Sequence, residues 1–311
     1  MIISKRVTDL LDIRYPILQG GMAWVADARL AAAVSEAGGL GVISAMSADA
    51  DYLRDQIRLA RELTDKTFGV NIMLLSPYAS QVAKVVIEEK IPVVTTGAGN
   101  PTEYMKAWKE AGIKVIPVVA SVAFARLMER AGADAVIAEG TEAGGHIGEI
   151  GTMALIPQVV DHVKIPVIAA GGMADGRGFA AAMMLGASGI QMGTRFLVAK
   201  ECSVHPNYKA KVLAAKDIST IVTARRAGHP VRSLKTVFSR DYYRDEALID
   251  DSILEERARG SLRRAVVDGD DHTGSFLAGQ ISGLVKKEQT AKEMIEEIYH
   301  EAKNLLGDHD G

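Results

Sequence analysis

At 311 residues, with 48% hydrophobic and 24% charged residues and a formal net charge of −3, the chain has room for one large domain or a barrel with an appendage. A balance that near neutral gives no electrostatic reason to expect nucleic acid or an anionic membrane surface as partner. The lone cysteine, Cys202, excludes an internal disulfide framework and a multi-cysteine metal site.

The chain opens on Met-Ile-Ile-Ser-Lys-Arg, which has no continuous apolar signal region, and no apolar run approaches the roughly 18 residues a membrane span needs. The expectation is a mature cytoplasmic protein. Short β-branched runs then alternate with amphipathic segments, as a parallel sheet wrapped by helices does. Strands are predicted at 16–19, 40–44, 68–73, 92–95, 114–118, 135–138, 166–169 and 189–192. They recur about every 25 residues, the unit expected of a (β/α)8 TIM barrel. Asp27 is placed to cap a helix ending near Gly38, and Ser76-Pro77 and Asn100-Pro101 place a cap before a proline at the first helical position. Faces such as Val82, Val85, Val86 and Leu127, Met128, Ala131 recur at helical spacing. Lys90-Ile-Pro-Val-Val-Thr-Thr-Gly97 echoes Lys164-Ile-Pro-Val-Ile-Ala-Ala-Gly171, and 131–140 echoes 185–193, which favours a closed repeat array over a doubly wound sheet.

The pattern breaks after Phe196. The division expected is a barrel over 1–199, an appended lid or small helical subdomain over 200–273, and a C-terminal helical segment over 274–311 that returns to the barrel.

In such barrels the chemistry sits at the C-terminal ends of the strands. Gly20-Gly21-Met22-Ala23 follows the first strand, Gly97-Ala-Gly-Asn100 the fourth, and Glu139 to His146 the sixth. Gly171-Gly172 follows the seventh and Gly193-Thr194 the eighth, where backbone N–H groups often hold a phosphate; tight turns are the plainer explanation of each pair alone. Asn71, inside a buried strand, needs a partner for its amide, which a flavin edge or neighbouring backbone can supply; Gln191 and Gln19 raise the same question. His146 follows Glu142-Ala-Gly-Gly at the mouth, where an imidazole can handle a proton near neutral pH. His205 and His229 are reserves, while His162, His300 and His309 fall on an outer helix face or in the tail. Lys90, Lys114 and Lys164 precede their strands, which removes a Schiff-base lysine from the mouth, and no carboxylate or histidine pattern suggests a catalytic metal. Gly97-Ala-Gly99 lacks the third glycine of a dinucleotide fingerprint. Met22, Trp24, Met73 and Leu74 offer an apolar slot. Arg225, Arg226, Arg232 and Lys235 offer a basic surface for an acidic partner or a phosphate, or simply a solvated face.

Gln19-Gly-Gly-Met-Ala-Trp24, Phe68-Gly-Val-Asn-Ile-Met73, Thr95-Thr-Gly-Ala-Gly-Asn-Pro101, Ala138-Glu-Gly-Thr-Glu-Ala-Gly-Gly-His-Ile-Gly148 and Gly193-Thr-Arg-Phe196 together resemble the flavin-dependent enoyl-acyl-carrier-protein reductase II family. That family lies in a wider group with nitronate monooxygenase, and His205-Pro-Asn-Tyr-Lys209 and 274–280 extend the resemblance over nearly the whole chain. The resemblance implies FMN as cofactor, with NADH or NADPH as reducing co-substrate and a trans-2-enoyl thioester on acyl carrier protein or CoA as substrate. It implies His146 as proton donor or carbonyl polariser. It also implies flavin contacts from Gly21, Met22, Ala23, Asn71, Glu139, Gly145, Gly171, Gly172, Gln191, Gly193 and Thr194. A homodimer, and stimulation by a monovalent cation such as K+ or NH4+, belong to the same implication. The rivals are a nitronate monooxygenase on this scaffold and a non-catalytic flavin-binding barrel.

Overall fold

The computed structural model describes residues 3–45 and 49–307, so His309 lies outside the described residues. Eight parallel strands form the barrel: β1 (Ile17–Gln19), β2 (Gly41–Ser44), β3 (Phe68–Met73), β4 (Val93–Gly97), β5 (Lys114–Val119), β6 (Val136–Glu139), β8 (Val167–Ala170) and β9 (Gly189–Met192). Between β6 and β8 lies a two-residue strand, β7 (Gly145–His146). The ladder runs β1-β9-β8-β6-β5-β4-β3-β2, and a parallel bridge from Leu18 to Leu40 joins its two edges. Every barrel strand falls within a residue or two of its expected ends.

Side chains on a strand alternate between faces. The inward set includes Leu18, Val42, Val93, Ile116, Ile137 and Ile168, which form one apolar cluster with Val7 and Leu11 of the N-terminal helix Arg6–Leu11. That helix plugs the N-terminal end of the barrel. The outward set (Ile17, Ile43, Val70, Val94, Val115 and Val136 among them) packs against the helix layer.

The helix starts differ in how they are capped. Asp27 does cap the helix Ala28–Glu36, accepting from Leu30 N at 2.9 Å. Ser76 and Asn100 do not act as caps: their helices begin later, at Ala79 and Thr102, and each side chain instead accepts an N–H two residues on, from Tyr78 and Thr102. Short polar side chains readily close such local turns, which compete with capping. Leu127 is exposed, so the buried face of its helix is set by Ala125 and Met128.

After β9 the chain does not go directly to its helix. It passes through a 3-10 turn (Thr194–Val198), the helix Pro206–Leu213, a hairpin of β10 (Thr220–Thr223) and β11 (Val231–Leu234), and two further helices, Val237–Asp245 and Asp251–Ala258. Phe238, Tyr242 and Leu254 give this region a small core of its own. The hairpin was not legible in the sequence, where the segment reads as helical. The chain then returns beside its point of departure, where Ala199 bridges Gln289. The long helix Ala291–Leu305 docks against Gly176–Met184 and Ala28–Glu36, filling the place of the eighth barrel helix. A Cβ on Gly176 would stand 2.5 Å from Ala302 N, and Gly176 N donates to Glu301 Oε2 at 2.7 Å. Gly176→Ala is therefore expected to lower unfolding stability by about 1–3 kcal/mol despite alanine's better helix propensity; unchanged denaturant unfolding would contradict this close docking.

Candidate active site

The period of two that builds the apolar plug also decides what stands above it. Continuing each inward row toward the strand's C-terminal end gives Asn71 on β3, Thr95 on β4, Glu139 on β6, Ala170 on β8 and Gln191 on β9. A polar layer thus caps an apolar one. Asn71 Nδ2 donates to Thr95 Oγ1 at 2.9 Å. Gln19, by contrast, faces outward, where its amide joins β1 to Val42 N and O of β2 at 3.1 and 3.2 Å. It takes no part in the mouth.

Above this layer lies a cavity enclosing about 1280 Å³ up to its open side, lined by every residue expected to touch a cofactor: Gly21, Met22, Ala23, Asn71, Glu139, Gly145, Gly171, Gly172, Gln191, Gly193 and Thr194. His146 lines it too, as does Met73 from the expected apolar slot; Trp24 does not, and Leu74 packs into the core beside it. Its outer wall comes from the appended region through Tyr208, Leu262, Leu277 and Ile281; Tyr208 and Leu277 lie in the segments 205–209 and 274–280 that carry the resemblance, whereas Leu262 and Ile281 had no sequence signal.

Glycine is needed here for specific reasons. A Cβ on Gly21 would overlap the Asn71 side chain, and Gly171 and Gly172 hold φ of +83° and +77°, a region costly for other residues. Among the described residues, no protein group accepts from the backbone N–H of Gly172, Gly193 or Thr194. Free amides at adjacent strand ends make an anion-binding concavity.

The Glu139–His146 loop is fastened from three sides. The Glu142 carboxylate accepts from Thr152 N at 2.9 and 3.0 Å and from Thr152 Oγ1 at 2.8 Å, so it caps the following helix and is not free for chemistry. Gln280 N donates to Glu142 O at 2.9 Å. From the appended region, β11 pairs with β7, setting Val231 opposite His146 and Arg232 opposite Gly145. The buried Arg232 guanidinium donates to Thr141 O at 3.1 and 3.2 Å and to Thr220 Oγ1 at 3.1 Å. Arg232 is thus a fastener and not a solvated charge, whereas Arg226 pairs with Asp251 at 2.7 Å away from the mouth. His205 caps its own helix, its Nδ1 accepting from Asn207 N at 3.1 Å.

Besides Glu142, held by Thr152, and Tyr208 in the outer wall, two titratable groups line the cavity. Glu139 has no hydrogen-bond partner among the described residues, and desolvation pushes its carboxyl up to about 7. His146 is an exposed residue on the cavity wall, and desolvation by its surroundings first, then His229, lower its pKa below the ordinary 6.5. At neutral pH the cavity therefore holds a neutral imidazole and a carboxyl that keeps its proton well above the ordinary carboxylate range. Cys202 is buried with its thiol pushed up to about 11, which removes it as a nucleophile. Among the described residues no cluster suited to a metal ion occurs, and no helix is long and apolar enough to cross a membrane. The site can seat a flat, phosphorylated ligand and move one proton.

The nitronate monooxygenase family profile matches residues 4–88 and 77–301. The structure is similar to that of FabK from Thermotoga maritima, with 55% sequence identity, a TM-score of 0.96, and coverage of 99% of this chain and 98% of that one. A probable nitronate monooxygenase from Staphylococcus saprophyticus is 35% identical over 356 residues, covering 98% of this chain and 99% of the relative. A (3aS,4S,5R,7aS)-5-hydroxy-7a-methyl-1-oxo-octahydro-1H-indene-4-carboxyl-CoA dehydrogenase from Mycobacterium tuberculosis is 34% identical over 337 residues, covering 95% of each.

Glu139 yields a pH test. Its folded pKa of about 7 lies above the ordinary 4.5, so the folded state holds the proton longer than the unfolded one. The resulting penalty is absent below pH 4.5, grows through the window up to about 7 and stays constant above it. In flavin-free protein, Glu139→Gln should raise the melting temperature at pH 8 and leave it nearly unchanged at pH 4.5. An equal gain at both would contradict the assignment.

Proposed function

We propose that this chain, which belongs to the nitronate monooxygenase family, is an FMN-dependent reductase of trans-2-enoyl thioesters that draws its electrons from NADH or NADPH. The family is one of flavin-dependent oxidoreductases. What carries the finer reading is the 55% identity to FabK over nearly the full length of both chains, against 35% to the probable nitronate monooxygenase. The mycobacterial relative, named for a CoA thioester, supports acyl thioesters as a substrate class within reach of this scaffold.

The cavity suits the cofactor. The free amides of Gly172, Gly193 and Thr194 would hold the phosphate, the Asn71 and Gln191 amides and Glu139 would meet the polar edge of the ring system, and Gly21, Met22 and Ala23 would border its face. When bound, FMN supplies hydride transfer from the pyridine nucleotide to the β-carbon of the enoyl thioester. The chain supplies orientation, exclusion of water and one proton handler. Neutral at pH 7, His146 would offer a ring N–H to the thioester carbonyl and would relay a proton from water to the α-carbon, taking one on its second ring nitrogen as it gives one up. Its place depends on β11, since Ile147 N donates to Pro230 O at 3.0 Å and Val231 lies opposite the histidine. A second reading, oxidation of alkyl nitronates with oxygen, uses the same histidine and is favoured by the family profile and the 35% identical relative.

Anaerobic reduction of the holoenzyme with NADH or NADPH, followed by addition of a trans-2-enoyl thioester, separates the two. Rapid flavin reoxidation with a saturated product is expected; oxidised flavin that a nitronate reduces and oxygen reoxidises, with no reoxidation by the enoyl thioester, would assign the second reading, and no reduction by either nucleotide would reject the first. His146→Ala should keep its flavin and lose about 10²–10⁴-fold in kcat for the enoyl substrate. Because the neutral imidazole is the working form and its pKa lies below 6.5, kcat should fall in acid and be flat from pH 7 to 8. A kcat that declines from pH 6 to 7.5 would show the imidazolium to be required instead.

A further inference from the structure

The loop from Gly21 to Asp27 separates two cavities. Met22, Ala23 and Val25 face the main one, while Trp24, Ala26 and Asp27 face a second of about 700 Å³ up to its open side, completed by Ser44, Asp49, Tyr52 and Tyr78. Trp24 reaches it by adopting φ of +63°, unusual for a bulky side chain, and the ring is 45% exposed. Tyr52 and Tyr78 are 47% and 40% exposed. Three large aromatic rings left open around one hollow are not needed by the core.

The polar lining is as informative. Asp27 and Asp49 bring two carboxylates, each accepting one N–H as a helix cap, from Leu30 at 2.9 Å and Tyr52 at 3.0 Å; the second Asp27 oxygen also accepts from Ser203 Oγ at 2.9 Å, which leaves Asp49 the freer acceptor. Among the described residues the lining contains no lysine or arginine. Burial first, and then Asp27, push the Tyr52 hydroxyl above its ordinary pKa, which fits a carboxylate beside the rings. A cation lies near the Trp24 ring, paired with Asp268 at 3.5 Å. Leu262 lines the main cavity, and the next residue, Arg263, holds its guanidinium 5.9 Å from the centroid of the Trp24 ring.

Aromatic faces stack nucleobases whatever their identity, and carboxylates accept from the hydroxyls of an unmodified ribose while repelling a phosphate on it. We propose that the second cavity binds the adenosine half of a dinucleotide whose adenosine ribose carries free 2′- and 3′-hydroxyls. The dinucleotide crosses the Trp24 loop with its diphosphate near Arg263, and its nicotinamide end reaches the main cavity. This rests on the reading that a pyridine nucleotide is the electron donor, and it narrows that donor to NADH. The same carboxylates disfavour the 2′-phosphate of NADPH and the 3′-phosphate of CoA.

The test uses holoenzyme and two probes, ADP-ribose and its 2′-phosphorylated form, followed by tryptophan fluorescence; the only other tryptophan, Trp108, is fully buried. ADP-ribose should alter the Trp24 emission and bind about tenfold more weakly to Tyr52→Ala and Tyr78→Ala. The 2′-phosphorylated probe should bind at least about tenfold more weakly to wild type. Asp49→Asn, which keeps the helix cap because asparagine caps as well as aspartate, should narrow that gap. In flavin reduction by NADH, the tyrosine variants should raise the half-saturating concentration and leave the limiting rate unchanged. ADP-ribose binding that ignores both tyrosines, or equal binding of the two probes, overturns the proposal. If NADH fails to reduce the wild-type flavin while ADP-ribose binding still depends on the tyrosines, the reductase reading falls and the adenosine site stands.

Discussion

Everything at the mouth of this barrel follows from one constraint: strands alternate their side chains, and four of the inward rows change from apolar or glycine to polar near their C-terminal ends. Leu18, Val42, Val93, Ile116, Ile137 and Ile168 make a dry plug, and directly above it stand Asn71, Thr95, Glu139 and Gln191. Buried polar groups demand partners. Asn71 and Thr95 partly satisfy one another, while Glu139 finds none among the described residues and holds its proton up to about pH 7. A floor of this kind is costly to a protein that keeps it bare, and useful to one that covers it with a flat polar ligand.

The second element is the appended region inserted between the eighth barrel strand and its helix. It leaves and returns through neighbouring residues, Ala199 and Gln289, and between them forms the roof of the cavity. Its hairpin also fixes the histidine. Because β7 is only two residues long and pairs only with β11, the position of His146 is set by residues some 85 positions later in the chain, Val231 and Arg232. The roof and the proton handler are therefore one mechanical unit, with Arg232 carrying the load to Thr141 O.

Much of this was legible in the sequence, for physical reasons that can be named. Barrel strands buried on both faces read as short β-branched runs, and glycines at their ends marked the mouth, so the loop Glu139–His146 and the amide donors at Gly172 and Gly193 could be placed before any coordinates. The hairpin β10–β11 escaped because its residues, Thr-Ile-Val-Thr and Val-Arg-Ser-Leu, are too short and too mixed to outweigh the charged helical segments around them. Glu142 could not be recognised as a cap from sequence, since it caps a helix that starts ten residues later across a loop. The second cavity escaped for a related reason. Trp24, Tyr52 and Tyr78 follow three different strands, and only the closed barrel brings them together.

The central claim is that the polar floor, the free glycine amides and His146 form a single flavin-dependent site roofed by the inserted region. A crystal structure of the FMN-loaded protein tests it most directly. The account predicts the phosphate against the amides of Gly172, Gly193 and Thr194, the ring system over Asn71, Glu139 and Gln191, and His146 facing it with the β7–β11 pairing intact. A flavin bound elsewhere, or a His146 turned away from it by a rearranged hairpin, would contradict the account.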